Sequence, residues 1–241
     1  MPNLALLRHG QSQWNLENRF TGWVDVDLTP EGENQASNAG ALLRACGVEF
    51  ARAHTSVLTR AIRTANLALD AMARPWLPLH KDWQLNERHY GALTGLDKAQ
   101  TAKAHGEEQV HIWRRSFDIA PPPLAPGGPY AFEADRRYAR IGTVPDTESL
   151  LDTLRRVLPF FEAQLAPALR AGEDLLIVAH GNSLRAIAKH LMGLSDEAIT
   201  QLEIPTGNPL LLDLGPDLAI HRARYLDAQR AQPLPSGAAA S

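Results

Sequence analysis

Leu4-Ala5-Leu6-Leu7-Arg8-His9-Gly10 opens the chain, and near its other end Leu175-Leu176-Ile177-Val178-Ala179-His180-Gly181-Asn182-Ser183 repeats the pattern. Each is a short unbroken apolar run that meets His-Gly within a residue or two of its end. A run of that length without polar alternation suits a strand covered on both faces, as in a parallel sheet. In open α/β sheets, sites form beyond the carboxyl ends of the strands. If the two strands are neighbours, both imidazoles stand on one rim. The glycines allow close backbone approach, and the turns lead toward helix starts whose free N–H groups can hold an anion.

The rest of the chain alternates strand and helix patterns around these two runs. Thr29 can cap a helix that begins at Pro30, with Glu31 and Glu33 at its positive end and Gly47 as a stop. Residues 50–55 read as a strand, 57–72 as a helix and 76–79 as a third strand, while 15–28 reads as loop. Residues 148–169 form a long amphipathic helical pattern in which Pro159 predicts a kink or break. Residues 182–192 read as a helix ended by Gly193. Residues 210–214 and 218–225 read as closing strands, turned by Gly215-Pro216. Such alternation predicts an α/β fold with a mostly parallel central sheet covered on both faces, a three-layer α/β/α sandwich. Residues 81–147 break the pattern with charged, aromatic and proline-rich stretches, an insertion of short helices and loops over the site, its main cover expected at residues 121–128. The domain is expected to span 1–228. Residues 229–241 read as a flexible tail, a poor seal for an anionic site.

Bulk properties set the class. The 241 residues fit one large α/β domain, with 44% hydrophobic and 21% charged residues. A formal net charge of −3 gives no global basic field for nucleic acid or an anionic membrane. The single cysteine, Cys46, excludes an internal disulfide and reads as a small packing residue. The first apolar run is too short for a secretory signal and no run is long enough to span a bilayer, so a cytoplasmic protein is expected. The five tryptophans read as packing residues.

Chemistry concentrates at the two His-Gly turns. Imidazole attacks phosphorus competently when a cation neutralises the phosphoryl oxygens, and Arg8 stands beside His9. Either histidine alone reads equally well as a hydrogen-bonded strand end; the pair in one context favours function. No HExxH, clustered Asp-x-Asp motif or cysteine ligand set is present, so no metal is expected.

Residues 7–15, Leu-Arg-His-Gly-Gln-Ser-Gln-Trp-Asn, resemble the signature of the histidine phosphatase superfamily, in the form used by the cofactor-dependent phosphoglycerate mutases. Further stretches are similar to that branch: Asn18-Arg19-Phe20-Thr21-Gly22-Trp23, residues 55–64, Leu85-Asn86-Glu87-Arg88-His89-Tyr90-Gly91-Ala92-Leu93, Trp113-Arg114-Arg115, residues 179–185 and Ile204-Pro205-Thr206-Gly207. The resemblance covers residues 4 to about 226. It implies the phosphoglycerate mutase-like fold and interconversion of 3- and 2-phosphoglycerate in glycolysis and gluconeogenesis. The priming donor would be 2,3-bisphosphoglycerate and the assembly a homo-dimer or homo-tetramer. It further implies that His9 becomes phosphorylated, that His180 stabilises the transferring group, and that Glu87 exchanges the proton of the substrate hydroxyl. Arg8, Asn15, Arg60, Gly181 and Asn182 would hold the transferring phosphate. Thr21, Gly22, Arg88, Tyr90, Lys98, Arg114 and Arg115 would bind the rest of the substrate. Taken singly, Glu87, Lys98 and Arg114-Arg115 read as solvated surface charges; their place inside matched stretches reverses that.

The charges fit such a ligand. A bisphosphoglycerate carries roughly −4 to −5 near neutral pH, and arginine forks suit phosphate and carboxylate. The chain departs from the pattern at Gln11, where the mutase signature usually has Glu, at Asn208, usually apolar, and in its tail. A phosphatase of the same superfamily, in which water attacks phospho-His9, is the alternative. A non-catalytic anion-binding module ranks below both, because His9, Glu87 and His180 are all retained.

Overall fold

The computed structural model describes residues 1–235; residues 236–241, the end of the expected tail, lie outside them. The chain runs through β1 (Asn3–Arg8), α1 (Gln13–Leu16), α2 (Pro30–Ala45), β2 (Arg52–Thr55), α3 (Thr59–Ala71) and β3 (Leu79–Lys81). It continues with α4 (Lys98–His105), α5 (Glu107–Arg115), α6 (Leu150–Phe160), α7 (Ala166–Arg170), β4 (Leu175–Ala179), α8 (Gly181–Met192), α9 (Ala198–Gln201), β5 (Leu210–Leu214) and β6 (Ile220–Tyr225). The strands form one sheet in the order β3-β2-β4-β1-β5-β6. β1, β2, β3 and β4 pair in parallel, and β5 and β6 join antiparallel. The expected α/β sandwich with a mostly parallel sheet is what forms.

The period of two along the central strands explains the three layers. Leu4 and Leu6 of β1, with Leu175 and Ile177 of β4, pack into one apolar core with α6, α7 and α8. Ala5, Leu7, Leu176 and Val178 point the other way, into a second core with α2 and α3. Each strand residue thus leaves water on one face or the other, and the continuous apolar runs follow from that.

Local signals place most helix ends. Thr29 Oγ1 accepts from Gly32 N at 3.1 Å, with Pro30 in the first turn. Ser149 and Asp152 form a reciprocal capping box at the start of α6. The expected break near Pro159 takes a specific form: the α ladder ends at Phe160, a π turn fills Phe161–Leu165, and α7 resumes. Proline removes one N–H and crowds the preceding turn, so the ladder re-registers there.

Four expectations meet a different local structure. The third strand is Leu79–Lys81, not 76–79. Pro78 lacks an N–H but supplies its carbonyl to Ala53 N, so the pairing starts beyond it. Trp76 is consequently no packing residue, being 71% exposed. Residues 15–28 are not all loop, since Gln13–Leu16 forms the short helix α1. Arg230 donates to Thr206 O and Leu234 packs against the first core, so the chain keeps tertiary contacts beyond residue 229.

The two atypical residues have structural partners. Gln11 Oε1 accepts from Thr29 Oγ1 at 2.9 Å, at the cap of α2. Asn208 is fully buried and forms two 3.0 Å hydrogen bonds with the backbone of Asp227. Its polar atoms are satisfied by the chain leaving β6, which an apolar residue could not hold in that way.

Candidate active site

The parallel pairing of β1 and β4 sets Arg8 opposite Ala179, which brings His9 and His180 to one rim. Their ring centroids lie 5.0 Å apart with planes at 60°. His9 Nδ1 is 2.7 Å from Gly10 O. A carbonyl only accepts, so Nδ1 carries the hydrogen and Nε2 the lone pair of the neutral ring. Burial, then the fields of Arg60 and Arg8, hold His9 well below the usual histidine range, so that lone pair is present at neutral pH. His180 is fully buried. Its Nε2 lies 2.7 Å from Ser56 Oγ, and Nδ1 has no partner among the described residues. Burial, Arg60 and His9 lower its pKa in the same way.

Beyond His9 opens a cavity of about 720 Å³, its solvent-filled mouth included. It is lined by Arg8, Arg19, Arg60, Lys98, Arg114, Arg115 and Arg185 against two carboxylates, Glu87 and Glu203. Seven cations facing two anions, in a chain of net charge −3, form a local basic basin. Burial weighs on these cations first, and neighbouring cations add to it. Burial, Arg114 and Arg8 push Lys98 down to about 8, and burial takes Arg60 to about 10. A dense anion entering the cavity relieves this repulsion.

The cations are held from behind, leaving the space in front of them open. Arg60 donates to Gly22 O and Val24 O, each at 2.8 Å. Arg8 donates to Ile204 O at 3.0 Å and to Glu203 Oε1 at 3.3 Å, while Arg115 pairs with the other Glu203 oxygen at 2.8 Å. Burial works to raise the Glu203 carboxyl, but Arg115, Arg8 and Arg185 together keep it below its ordinary value. Asn15 Oδ1 accepts from Ser12 N in the cap of α1, which leaves its amide N–H groups for a ligand.

Glu87 Oε1 is fixed by three donors: Arg88 N at 2.8 Å, Asn182 Nδ2 at 2.9 Å and Asn182 N at 3.1 Å. The last belongs to the first turn of α8, where N–H groups lack helical partners. Oε2 makes no hydrogen bond among the described residues and borders the cavity beside Gly181. One oxygen is thus an anchor and the other is free to exchange a proton.

The family model of the histidine phosphatase superfamily (branch 1) matches residues 4–141 and 125–217. The chain belongs to the histidine phosphatase superfamily. It is 66% identical over 236 residues to the 2,3-bisphosphoglycerate-dependent phosphoglycerate mutase of Caulobacter sp. (strain K31), covering 98% of this chain and 99% of that one. An enzyme of the same name from Sphingopyxis alaskensis is 62% identical over 226 residues, 94% of this chain and 99% of that one. Among solved structures, a mycobacterial glucosyl-3-phosphoglycerate phosphatase complexed with VO3 matches with a TM-score of 0.71 at 25% identity, over 93% of this chain and 97% of that one. A mycobacterial hydrolase matches with the same TM-score at 24% identity, over 97% and 100%; this last likeness shows the shared fold alone.

The structure brings most of the residues named by the resemblance to one cavity. His9, Glu87, Arg8, Asn15, Thr21, Gly22, Arg60, Tyr90, Lys98, Arg114, Arg115, Gly181 and Asn182 all line the cavity. His180 does not; it stands behind His9. Arg88 does not either: it is fully buried, 4.8 Å over the Tyr90 ring, and donates to Arg114 O. Residues 121–128 also stay off the cavity, whose insertion wall comes from residues 87–98 and the end of α5. Pro122 O instead accepts from Ala92 N. Arg19, Phe20, Arg185, Glu203 and Ile204 are lining residues that the reading of the sequence left out. Arg185 follows Asn182 by three positions, hence on the same face of α8. Glu203 carried no signal, since it matters only by lying between Arg8 and Arg115.

Proposed function

We propose that this chain interconverts 3-phosphoglycerate and 2-phosphoglycerate through phosphorylated His9, with 2,3-bisphosphoglycerate as intermediate and priming donor. The observation that carries it is the pairing of a free imidazole nitrogen with a free carboxylate oxygen, Glu87 Oε2, across one cation-lined cavity. The near full-length identity to relatives bearing that enzyme name supports the same reading.

Nε2 of His9 attacks the phosphoryl group of the bound bisphosphoglycerate; a P–N bond forms as the P–O bond breaks. The departing oxygen takes a proton from Glu87. In the reverse direction Glu87 removes the proton of the substrate hydroxyl as that oxygen takes the phosphoryl group from His9. Arg8 and Arg60 neutralise the equatorial oxygens, the main requirement of phosphoryl transfer. His180 backs His9, with Ser56 holding its far nitrogen. Lys98, Arg114 and Arg115 receive the second phosphate and the carboxylate. Seven cations against two anions leave five positive charges for a ligand of roughly −4 to −5.

The reaction in this reading needs no metal, and the enzyme works in the cytoplasm as a homo-oligomer. Among the described residues no helix is long and apolar enough to cross a membrane. A coupled assay on 3-phosphoglycerate tests the proposal. We expect 2-phosphoglycerate to form only after priming by 2,3-bisphosphoglycerate, with full activity in strong chelator. Free phosphate in place of isomerised substrate would mark the phosphatase alternative, and a chelator-sensitive, manganese-restored activity would rule out this chemistry.

A further inference from the structure

Glu87 sits in a stretch with no regular structure between the helical turn Trp83–Leu85 and the turn Gly91–Leu93. Its backbone carbonyls have no helix or sheet to satisfy them. One guanidinium does so instead. Arg156, on α6, donates from Nη1 to Gln84 O at 2.6 Å, and from Nη2 to Asn86 O at 3.0 Å and Glu87 O at 2.9 Å. The same fork is neutralised by Glu148: Nε donates to Oε1 at 2.6 Å and Nη2 to Oε2 at 3.0 Å. Glu148 closes the ring from the other side. Its Oε2 accepts from His89 N at 2.8 Å and its own N–H donates to His89 O at 2.9 Å. Both side chains are almost wholly buried, at 9% and 4% exposure, and neither lines the cavity.

We propose that Arg156 and Glu148 are positioning residues for Glu87, fixing the backbone from which the proton-exchanging carboxylate reaches the cavity. The inference rests on the proton-exchange role given to Glu87 above. The carboxylate is caught between two holds. Donors at the start of α8 grip Oε1, and the Arg156–Glu148 pair grips the chain on both sides of its Cα. Donors on Oε1 aim Oε2 only while that Cα stays in place, so the second hold sets where the proton goes. Arginine suits this role and lysine does not, because only a planar fork serves three carbonyls and a bidentate carboxylate at once. A merely space-filling ion pair would have no reason to direct three of its five hydrogen bonds at residues 84–87.

The test compares two rates in wild type, Arg156→Lys, Glu87→Gln and the double variant. One is single-turnover phosphorylation of His9 by an aryl phosphate with a good leaving group, which needs little acid help. The other is steady-state turnover of 3-phosphoglycerate. In Arg156→Lys we expect turnover to fall about 100-fold, the scale of a misplaced reacting group, with KM and the aryl phosphate rate close to wild type. The double variant should be no slower than Glu87→Gln, because a displaced carboxylate and an absent one fail at the same step. Equal losses in both rates, or additive losses in the double variant, overturn the proposal. If circular dichroism shows Arg156→Lys unfolded, Glu148→Gln, which keeps shape but loses charge, carries the same comparison. If Glu87→Gln itself slows both rates equally, the proton-exchange role falls and this inference with it. A selective loss in Glu87→Gln without one in Arg156→Lys overturns the positioning role alone.

Discussion

His9 and His180 end neighbouring parallel strands at the same sheet edge, each followed by glycine, yet their surroundings differ. After β1 the chain enters a loop, and His9 N donates to Ala179 O at 3.0 Å, keeping the ring at the cavity floor. After β4 the chain turns directly into α8, and the His180 ring is sealed against Ser56, from the turn between β2 and α3. The glycines differ too. A Cβ on Gly10 would stand 2.1 Å from Gly32 O of α2, whereas one on Gly181 would meet only ordinary contacts, near Arg8 and Glu87. A motif written twice in sequence therefore acquires two roles from third elements: α2 packs backbone to backbone behind one turn, and Ser56 closes the other. Each ring keeps one held nitrogen and one without a partner among the described residues, but only His9 lines the cavity.

Replacing the two histidines tests that difference most directly. His9→Gln is expected to abolish acid-labile phosphate labelling by 2,3-bisphosphoglycerate and to lower turnover by about 10⁴ or more, the scale seen when a nucleophile is removed. Persistent labelling in that variant would reject His9 as the nucleophile. His180→Ala is expected to retain labelling on His9 but to form it about 100-fold more slowly, because the ring that backs His9 is gone and the nucleophile loses its alignment. Rapid-quench labelling measures both. If His180→Ala lost all labelling while His9→Gln kept it, the two roles would be exchanged.

The sequence carried the strand-end histidines because both features that mark them are local: an apolar run and the residues after it. The three-layer fold followed from alternation alone, and the cap at Thr29 and the stop at Gly193 from short-range chemistry. What stayed hidden depends on contacts between distant segments. Arg88 and Lys98 read alike as cations inside matched stretches, but Tyr90 lies between Arg88 and the cavity. Glu203 is functional in position only because β1 and α5 both deliver an arginine to it. Pro78 shifted a strand that propensity placed three residues early, since a missing N–H counts only once the neighbouring strand is known.

The glycines offer a smaller test of the same comparison. Gly10→Ala must push α2 away from the His9 turn, because the obstructing atom is backbone carbonyl and cannot rotate aside. We expect destabilisation of about 1–3 kcal/mol, the range for forced overpacking. Gly181→Ala has room and should stay within about 0.5 kcal/mol, while its methyl group narrows the space between Arg8 and Glu87. Denaturant unfolding of both variants checks the ranking. Equal losses would mean that α2 yields easily and that the two turns are structurally equivalent.

The smallest effect concerns protons. His9 and His180 are both buried in the neutral form, with pKa values well below 6.5. In the unfolded chain each titrates near 6.5, so below that pH the unfolded state binds more protons and stability falls as pH falls. Above about pH 7 neither histidine contributes, because both states are neutral. At pH 6 the loss comes to roughly 0.8 kcal/mol for each such histidine, from the ratio of protonated to neutral forms in the unfolded chain. The carboxyls held low, such as Asp152 and Glu203, titrate below the usual carboxylate range and leave this window clear. His89 is also lowered by burial and adds to the wild-type slope, so the informative quantity is the difference between variants. His180→Gln should change stability by some fixed amount at pH 7.5 and then lose less than wild type between pH 7 and 5.5. His9→Gln should flatten the curve similarly, because burial dominates both shifts despite the open nitrogen of His9. If only His180→Gln flattened it, cavity water would be stabilising protonated His9, and the two turns would differ in charge as well as in access.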